Sequence, residues 1–197
     1  MIALVDYGAG NLTSVKKALA AVGADAAVPR SPADLADARG IVVPGVGHFG
    51  ATRALDDWWI EAIVRHIGEG RPLLGICLGM QWLYEGSDEA PEVRGLGLFS
   101  GRCYRLPANG VKVPHVGWND VSISRSSAIV QDVGDAQVYF THSYAAPVTG
   151  DTIATTAHGD RFASIVQRGQ IAGVQFHPEK SGDVGLQILR NFVALTG

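Results

Sequence analysis

The chain predicts an α/β fold: a doubly wound, mostly parallel sheet with flanking helices and an antiparallel extension. Three observations predict it. Through the first half, short apolar runs alternate with stretches of helical periodicity, the pattern of βα units that wind a parallel sheet. One of those runs, Leu73-Leu74-Gly75-Ile76, meets a cysteine between two glycines where a helix begins. The second half instead carries short strand-like runs separated by glycines and prolines, which reads as antiparallel strands added to the sheet edge.

The elements follow in order. Ile2 to Val5 is a short apolar strand. Leu12, Val15, Leu19 and Val22 recur at helical spacing behind Asn11, a good capping residue. Ala24 to Val28 is a weak strand. Ser31-Pro32-Ala33-Asp34 combines a capping residue, a proline at the first helical position and an early acid, so a short helix is expected there. Ile41 to Val43 is a buried strand, and Leu55, Trp59, Ile63 and Ile67 mark a longer helix. Leu73 to Ile76 is the next strand, followed by a helix from Leu78 to Tyr84. Further strands are expected near 101–106, 119–123, 137–141, 153–156, 164–167 and 171–176, and Ile188, Leu189, Phe192 and Val193 form a closing helix.

With 197 residues, no repeat, no linker and no charge block, residues 1–197 are expected to form a single domain with a sizeable core. A net charge of −3 argues against a nucleic-acid surface. No apolar stretch approaches the ~20 residues that span a membrane, and Asp6 interrupts the first apolar run too early for a signal peptide. A cytoplasmic, reducing location is the expectation, and it suits a free thiol. Two cysteines, Cys77 and Cys103, give no disulfide framework. Cys103 reads as a small buried hydrophobe. The six histidines show no metal-ligand spacing, so no metal site and no cofactor are expected, and His66 reads as a surface or capping residue.

Gly75-Ile76-Cys77-Leu78-Gly79 has the form of a strand-turn-helix elbow with sulfur in place of a serine oxygen. Glycines relieve crowding in such a turn. The helix amino terminus behind the sulfur favours negative charge, so a thiolate is expected. A free cysteine is ordinarily an inert core residue. The partner that changes this reading lies far along the chain, in Gly173-Val174-Gln175-Phe176-His177-Pro178-Glu179. His177 and Glu179 are two positions apart in an extended segment, and Pro178 blocks a helix between them. Cysteine nucleophile, histidine base and carboxylate orienter are the parts of covalent acyl transfer.

These two segments resemble the class I (triad-type) glutamine amidotransferases. Four others narrow the resemblance to the glutaminase subunits of imidazole glycerol phosphate synthases: Pro44-Gly45-Val46-Gly47-His48-Phe49-Gly50, Val113-Pro114-His115-Val116-Gly117-Trp118-Asn119, Phe140-Thr141-His142-Ser143-Tyr144 and Glu179-Lys180-Ser181. The resemblance spans nearly the whole chain; Thr141 stands where an aliphatic residue is commoner. It implies a flavodoxin-like fold and hydrolysis of L-glutamine through a cysteine thioester. It also implies a heterodimer in which ammonia passes to a (β/α)8-barrel cyclase subunit for histidine biosynthesis. It assigns Gln81, Glu89, His142, Ser143 and Tyr144 to glutamine, and Asn11, Trp118, Tyr139 and Lys180 to the neighbourhood of the partner surface. An oxyanion needs two donors. The backbone N–H of Leu78 is one candidate, and the peptide joining Val46 and Gly47, at the end of the neighbouring strand, is the other.

Asp6-Tyr7-Gly8-Ala9-Gly10-Asn11 follows the first strand but lacks the third glycine of a dinucleotide loop, since position 13 is threonine. A tight strand-helix turn is the simpler reading. Three other functions fit parts of the pattern: a glutaminase serving another synthase, such as one that makes pyridoxal phosphate; a free-standing cysteine hydrolase or peptidase; and a non-enzymatic nucleotide-binding module of flavodoxin type. The Gly-Trp-Asn and His-Ser-Tyr segments argue against the first. The second would turn over without a partner, and the third would tolerate loss of Cys77.

Overall fold

A computed structural model describes all of residues 1–197. In chain order, strand β1 (Ile2–Leu4) leads to helix α1 (Leu12–Ala21), β2 (Ala26–Ala27) and β3 (Gly40–Val43). Helix α2 (Asp57–Gly68), β4 (Leu73–Ile76) and the short α3 (Leu78–Trp82) follow. Next come β5 (Gly86–Ser87), β6 (Arg102–Arg105), β7 (His115–Ile123), β8 (Ala136–His142) and β9 (Tyr144–Ala145). The chain closes with β10 (Thr152–His158), β11 (Asp160–Arg168), β12 (Ile171–Val174) and α4 (Gly182–Leu195).

Nine strands form one sheet in the order β2-β1-β3-β4-β12-β11-β10-β7-β8. The pairs from β2 to β12 are parallel, and from β12 onward they are antiparallel. This is the doubly wound order with an antiparallel extension that the sequence predicts. The parallel strands are buried on both faces, as their apolar composition requires. Their two-residue period sorts side chains between two cores. Ile2, Leu4, Val42, Leu74 and Ile76 pack with α1 and α4 through Val15, Leu19, Ile188, Leu189 and Phe192. Ala3, Val5, Ile41, Val43 and Leu73 face Leu35, Phe49, Leu55 and Ile63 on the other side.

Several local expectations shift. Asn11 caps α1, its side chain accepting from Ser14 N at 3.3 Å. Ser31 makes no capping bond, and Pro32–Asp37 is a 3-10 turn; the Asp34 carboxylate accepts from Arg30 N instead. Leu55 closes a 3-10 segment, Phe49–Ala54, and α2 starts after Asp56, which accepts from Trp58 N and Trp59 N. The small polar cap decides the boundary that the apolar spacing blurs. His66 is a buried structural residue, 1% exposed, bonded through Nε2 to Pro72 O at 3.2 Å, not a surface one. The 101–106 run pairs in a separate three-stranded sheet, β5-β6-β9, rather than in the extension. β7 begins at His115, four residues before the predicted run, because Gly117 sits within a regular ladder with β8 instead of ending it.

Candidate active site

Three adjacent parallel strands deliver the site from their carboxyl ends. β4 lies between β3 and β12, with Gly75 opposite Val43 and Ile76 opposite Val174. β3 runs into Pro44-Gly45-Val46-Gly47, β4 into Cys77, and β12 towards His177. Open α/β sheets place their ligand sites at this edge.

The elbow is built by exclusion. Cys77 has φ 53° and ψ −108°, a strained conformation for a residue with a side chain. Its N–H is held by Val174 O at 2.8 Å. A Cβ on Gly79 would lie 1.8 Å from Val43 O, and one on Gly75 would lie 2.7 Å from Met80 N. Only glycine lets helix α3 start this close to the sheet. Cys77 is the residue at the amino end of that helix.

His177 and Glu179 sit beside it and are nearly closed to solvent, each with its side chain 2% exposed. His177 Nδ1 lies 2.8 Å from Glu179 Oε1. Burial alone would push the imidazole pKa down; the Cys77 and Glu179 groups act against it and raise it above the ordinary histidine value. His177 Nε2 makes no hydrogen bond at ordinary distance. The backbone is pinned as well: His177 N donates to Tyr139 O at 2.9 Å, and Ser181 Oγ donates to His177 O at 2.6 Å. The arrangement sets an imidazole whose charged form is favoured beside a thiol, with a carboxylate against the ring, the parts that covalent acyl transfer needs.

A cavity of about 230 Å3 opens over Cys77. Gly47, Leu78, Gln81, Glu89, His142, Ser143 and Tyr144 all line it, so the residues assigned to glutamine converge on the sulfur. Two of them also carry structure. Glu89 Oε2 accepts from Phe49 N at 2.7 Å, and Gln81 Nε2 donates to Tyr144 O at 2.7 Å and to Gln175 Oε1 at 3.1 Å. Leu78 N–H, one of the donors expected to face an oxyanion, is already engaged. Leu78 N donates to Gly45 O at 3.3 Å, and Val46 N donates to Ala9 O at 3.0 Å. One peptide, Gly45–Val46, thus turns its carbonyl toward the nucleophile elbow and its N–H toward the loop after β1.

Trp118, Tyr139 and Lys180 form one surface group. Trp118 is 56% exposed; its ring centroid is 6.3 Å from that of Tyr139, and Lys180 Nζ lies 5.6 Å from the Tyr139 ring. Asn11 is exposed and acts in this chain as the α1 cap. Gln175 was not singled out from the sequence. It is fully buried, and its Nε2 donates to Cys77 Sγ at 3.6 Å. A polar residue in an otherwise apolar run, two positions before His177, is the signal that marks it. Cys103 is fully buried with its thiol pKa pushed up by desolvation, as an inert core residue should be. No group of three or more His, Cys, Asp or Glu side chains is arranged to hold a metal ion. No helix is long and apolar enough to cross a membrane.

Comparison with known proteins agrees with this geometry. Residues 3–195 match the family model "Glutamine amidotransferase class-I". The chain is 44% identical to the imidazole glycerol phosphate synthase subunit HisH of Methanothermobacter thermautotrophicus, over 99% of this chain and 98% of that protein. It is 47% identical to the HisH subunit of Halobacterium salinarum, over 98% and 92%. A solved glutamine amidotransferase superposes with a TM-score of 0.79 at 21% identity, covering all of both chains, which bears on the fold alone. An elbow cysteine, a histidine–glutamate pair just beyond the neighbouring strand and these matches along the full chain have one common explanation: the chain belongs to the class-I glutamine amidotransferase family, alongside the HisH subunits of imidazole glycerol phosphate synthase.

Proposed function

We propose that the chain is the glutaminase subunit of an imidazole glycerol phosphate synthase, working in histidine biosynthesis as one glutamine amidotransferase domain over residues 1–197. The observation that carries the proposal is Cys77, coupled to the buried His177–Glu179 pair, opening into the cavity lined by Gln81, Glu89, His142, Ser143 and Tyr144. The Cys77 thiolate attacks the side-chain amide carbon of L-glutamine. His177, held charged beside Glu179, gives its proton to the departing amine as the tetrahedral adduct collapses. Ammonia leaves and a thioester remains. Neutral His177 then takes a proton from water, hydroxide adds to the thioester, and glutamate departs as the thiolate returns. Gln175 donates to the sulfur and helps hold its charge.

The resting geometry supports a switch in which the Gly45–Val46 peptide turns over, one peptide earlier than the Val46–Gly47 bond expected from the sequence. That turn frees Leu78 N–H from Gly45 O and brings Val46 N–H to the same side. Two donors then face the oxyanion, and a missing donor costs ~10²–10³-fold in rate. Gly47, with φ +94° and open space around it, supplies the freedom for that motion. The partner is a (β/α)8-barrel cyclase that forms a heterodimer with this chain and takes the ammonia. Trp118, Tyr139 and Lys180, with Asn11 near the same edge, are its expected contacts. Aromatic side chains are favoured anchors at such surfaces. A cytoplasmic location is part of this reading.

Cys77→Ala tests the division of labour. In the complex with the cyclase, glutamine-dependent synthesis should fall below detection while ammonia-dependent synthesis persists. Loss of both in an assembled complex, or retention of glutamine-dependent synthesis, would overturn the proposal.

A further inference from the structure

His115 has no role in the chemistry above, yet it is 3% exposed and sits at the centre of a polar chain. Its Nδ1 lies 3.0 Å from His142 Nε2, and its Nε2 lies 3.2 Å from Asn119 Nδ2. His142 Nδ1 lies 2.9 Å from Tyr144 O. The order of donors follows from one end. A carbonyl only accepts, so His142 Nδ1 carries the hydrogen and His142 Nε2 offers its lone pair. His115 Nδ1 must therefore donate, and His115 Nε2 accepts from the Asn119 amide. Each ring is neutral, and each tautomer is fixed by its neighbour.

The surroundings enforce the neutral state. His115 is stacked between His158, at 3.9 Å between centroids, and Phe140, at 4.7 Å. Phe162 packs edge-on against both His115 and His142. The titratable groups facing the pair, His158 and His177, are also basic. Burial first, and then these neighbours, push His115 down to about 4 and His142 to about 3.

The far end of the chain is the cavity wall. Tyr144 O receives His142 Nδ1–H and also Gln81 Nε2–H, so both of its lone pairs are used. Ser143 O is occupied by Leu106 N at 2.9 Å. The backbone of the Ser143-Tyr144 wall is locked from behind.

We propose that His115 is a positioning residue for glutamine: it fixes the His142 tautomer, and His142 in turn holds the Tyr144 carbonyl and the pocket wall in register with Cys77. The inference rests on the proposed glutaminase reading and extends it to a residue that does not touch the cavity.

The test compares His115→Phe with His115→Asn in the complex with the cyclase subunit. Phenylalanine keeps the stacking but has no donor, which leaves His142 Nε2 unpaired in the core. Asparagine can place an amide N–H near the Nδ1 position. His115→Phe should raise KM for glutamine about tenfold, the size of one lost hydrogen bond with a buried acceptor left unpaired. Its kcat should change less than about threefold, and His115→Asn should recover most of the KM. A wild-type KM in His115→Phe, or no rescue by asparagine, overturns the proposal. Nitrogen-15 NMR of the His142 ring supplies a readout besides turnover. The wild type should show Nδ1–H with a bare Nε2, neutral through about pH 5. A wild-type Nε2–H tautomer also overturns it, even where a variant fails to fold. An absence of glutamine turnover in the wild-type complex would instead sink the glutaminase reading, leaving the tautomer measurement to decide the rest.

Discussion

Cys77 and His177 leave neighbouring parallel strands, but different forces hold them. On the β3–β4 side, close approach of backbones fixes Cys77. Gly79 lies against Val43 O, and Cys77 takes a positive φ because the turn allows nothing wider. On the β12–β8 side, hydrogen bonds fix the partners: His177 to Glu179, His177 N to Tyr139 O, and the His115–His142 pair behind the pocket wall. The first region should therefore fail when volume is added. The second should tolerate shape changes better and respond to protonation.

Gly79→Ala is the strongest way to break that contrast. The added carbon would fall 1.8 Å from a main-chain oxygen, so two buried segments must separate. A loss above about 4 kcal/mol is expected, enough to unfold a marginal domain. Chemical denaturation measures it; a wild-type midpoint would show that the close approach is dispensable.

Acid should act on the other region. His115 and His142 have folded pKa values of about 4 and about 3, against 6.5 for the free side chain. Between these values the unfolded chain binds more protons than the folded one. Their contribution is thus full above pH 6.5 and is lost as pH falls toward 4. His177 has the opposite sign: its raised pKa contributes below 6.5 and is lost as pH rises through the folded value. Urea midpoints taken in steps on the acid side should fall more steeply in the wild type than in His115→Asn. Equal slopes would mean that the buried pair does not set the acid limit.

The smallest expected effect separates stability from chemistry at one residue. Cys77→Gly and Cys77→Ala both remove the thiol. Glycine relieves a strained φ worth about 1–3 kcal/mol, offset by about 0.4–1 kcal/mol of extra unfolded-state freedom. Cys77→Gly should therefore be about 1 kcal/mol more stable than Cys77→Ala in thermal or urea unfolding. The reverse order would show that the elbow stores no strain.

Much of this was legible without coordinates. The first half of the sheet follows from apolar runs alternating with helical spacing, because each buried strand and each helix stripe carries its own period. The elbow announced itself through paired glycines, and the Cys77, His177 and Glu179 set through residue types that acyl transfer requires. The 101–106 strand joins a different sheet from the one its pattern suggests, since local pattern is blind to which edge a strand pairs with. His66 reads as exposed on α2 because helix position alone does not reveal that Pro72 O lies beside it.

By itself, then, the sequence determined the winding of the sheet and singled out Cys77, His177 and Glu179 as candidates, because those depend on local periodicity and on chemistry written in short segments. Tertiary structure alone decided how distant segments meet. It turned the Gly45–Val46 peptide so that Leu78 N–H is occupied and Val46 N–H is bound to Ala9 O. It placed Gln175 against the sulfur and threaded Asn119, His115, His142 and Tyr144 into one hydrogen-bonded chain. Donor direction and tautomer follow from three-dimensional neighbours that are far apart in sequence, so only the folded chain could specify them.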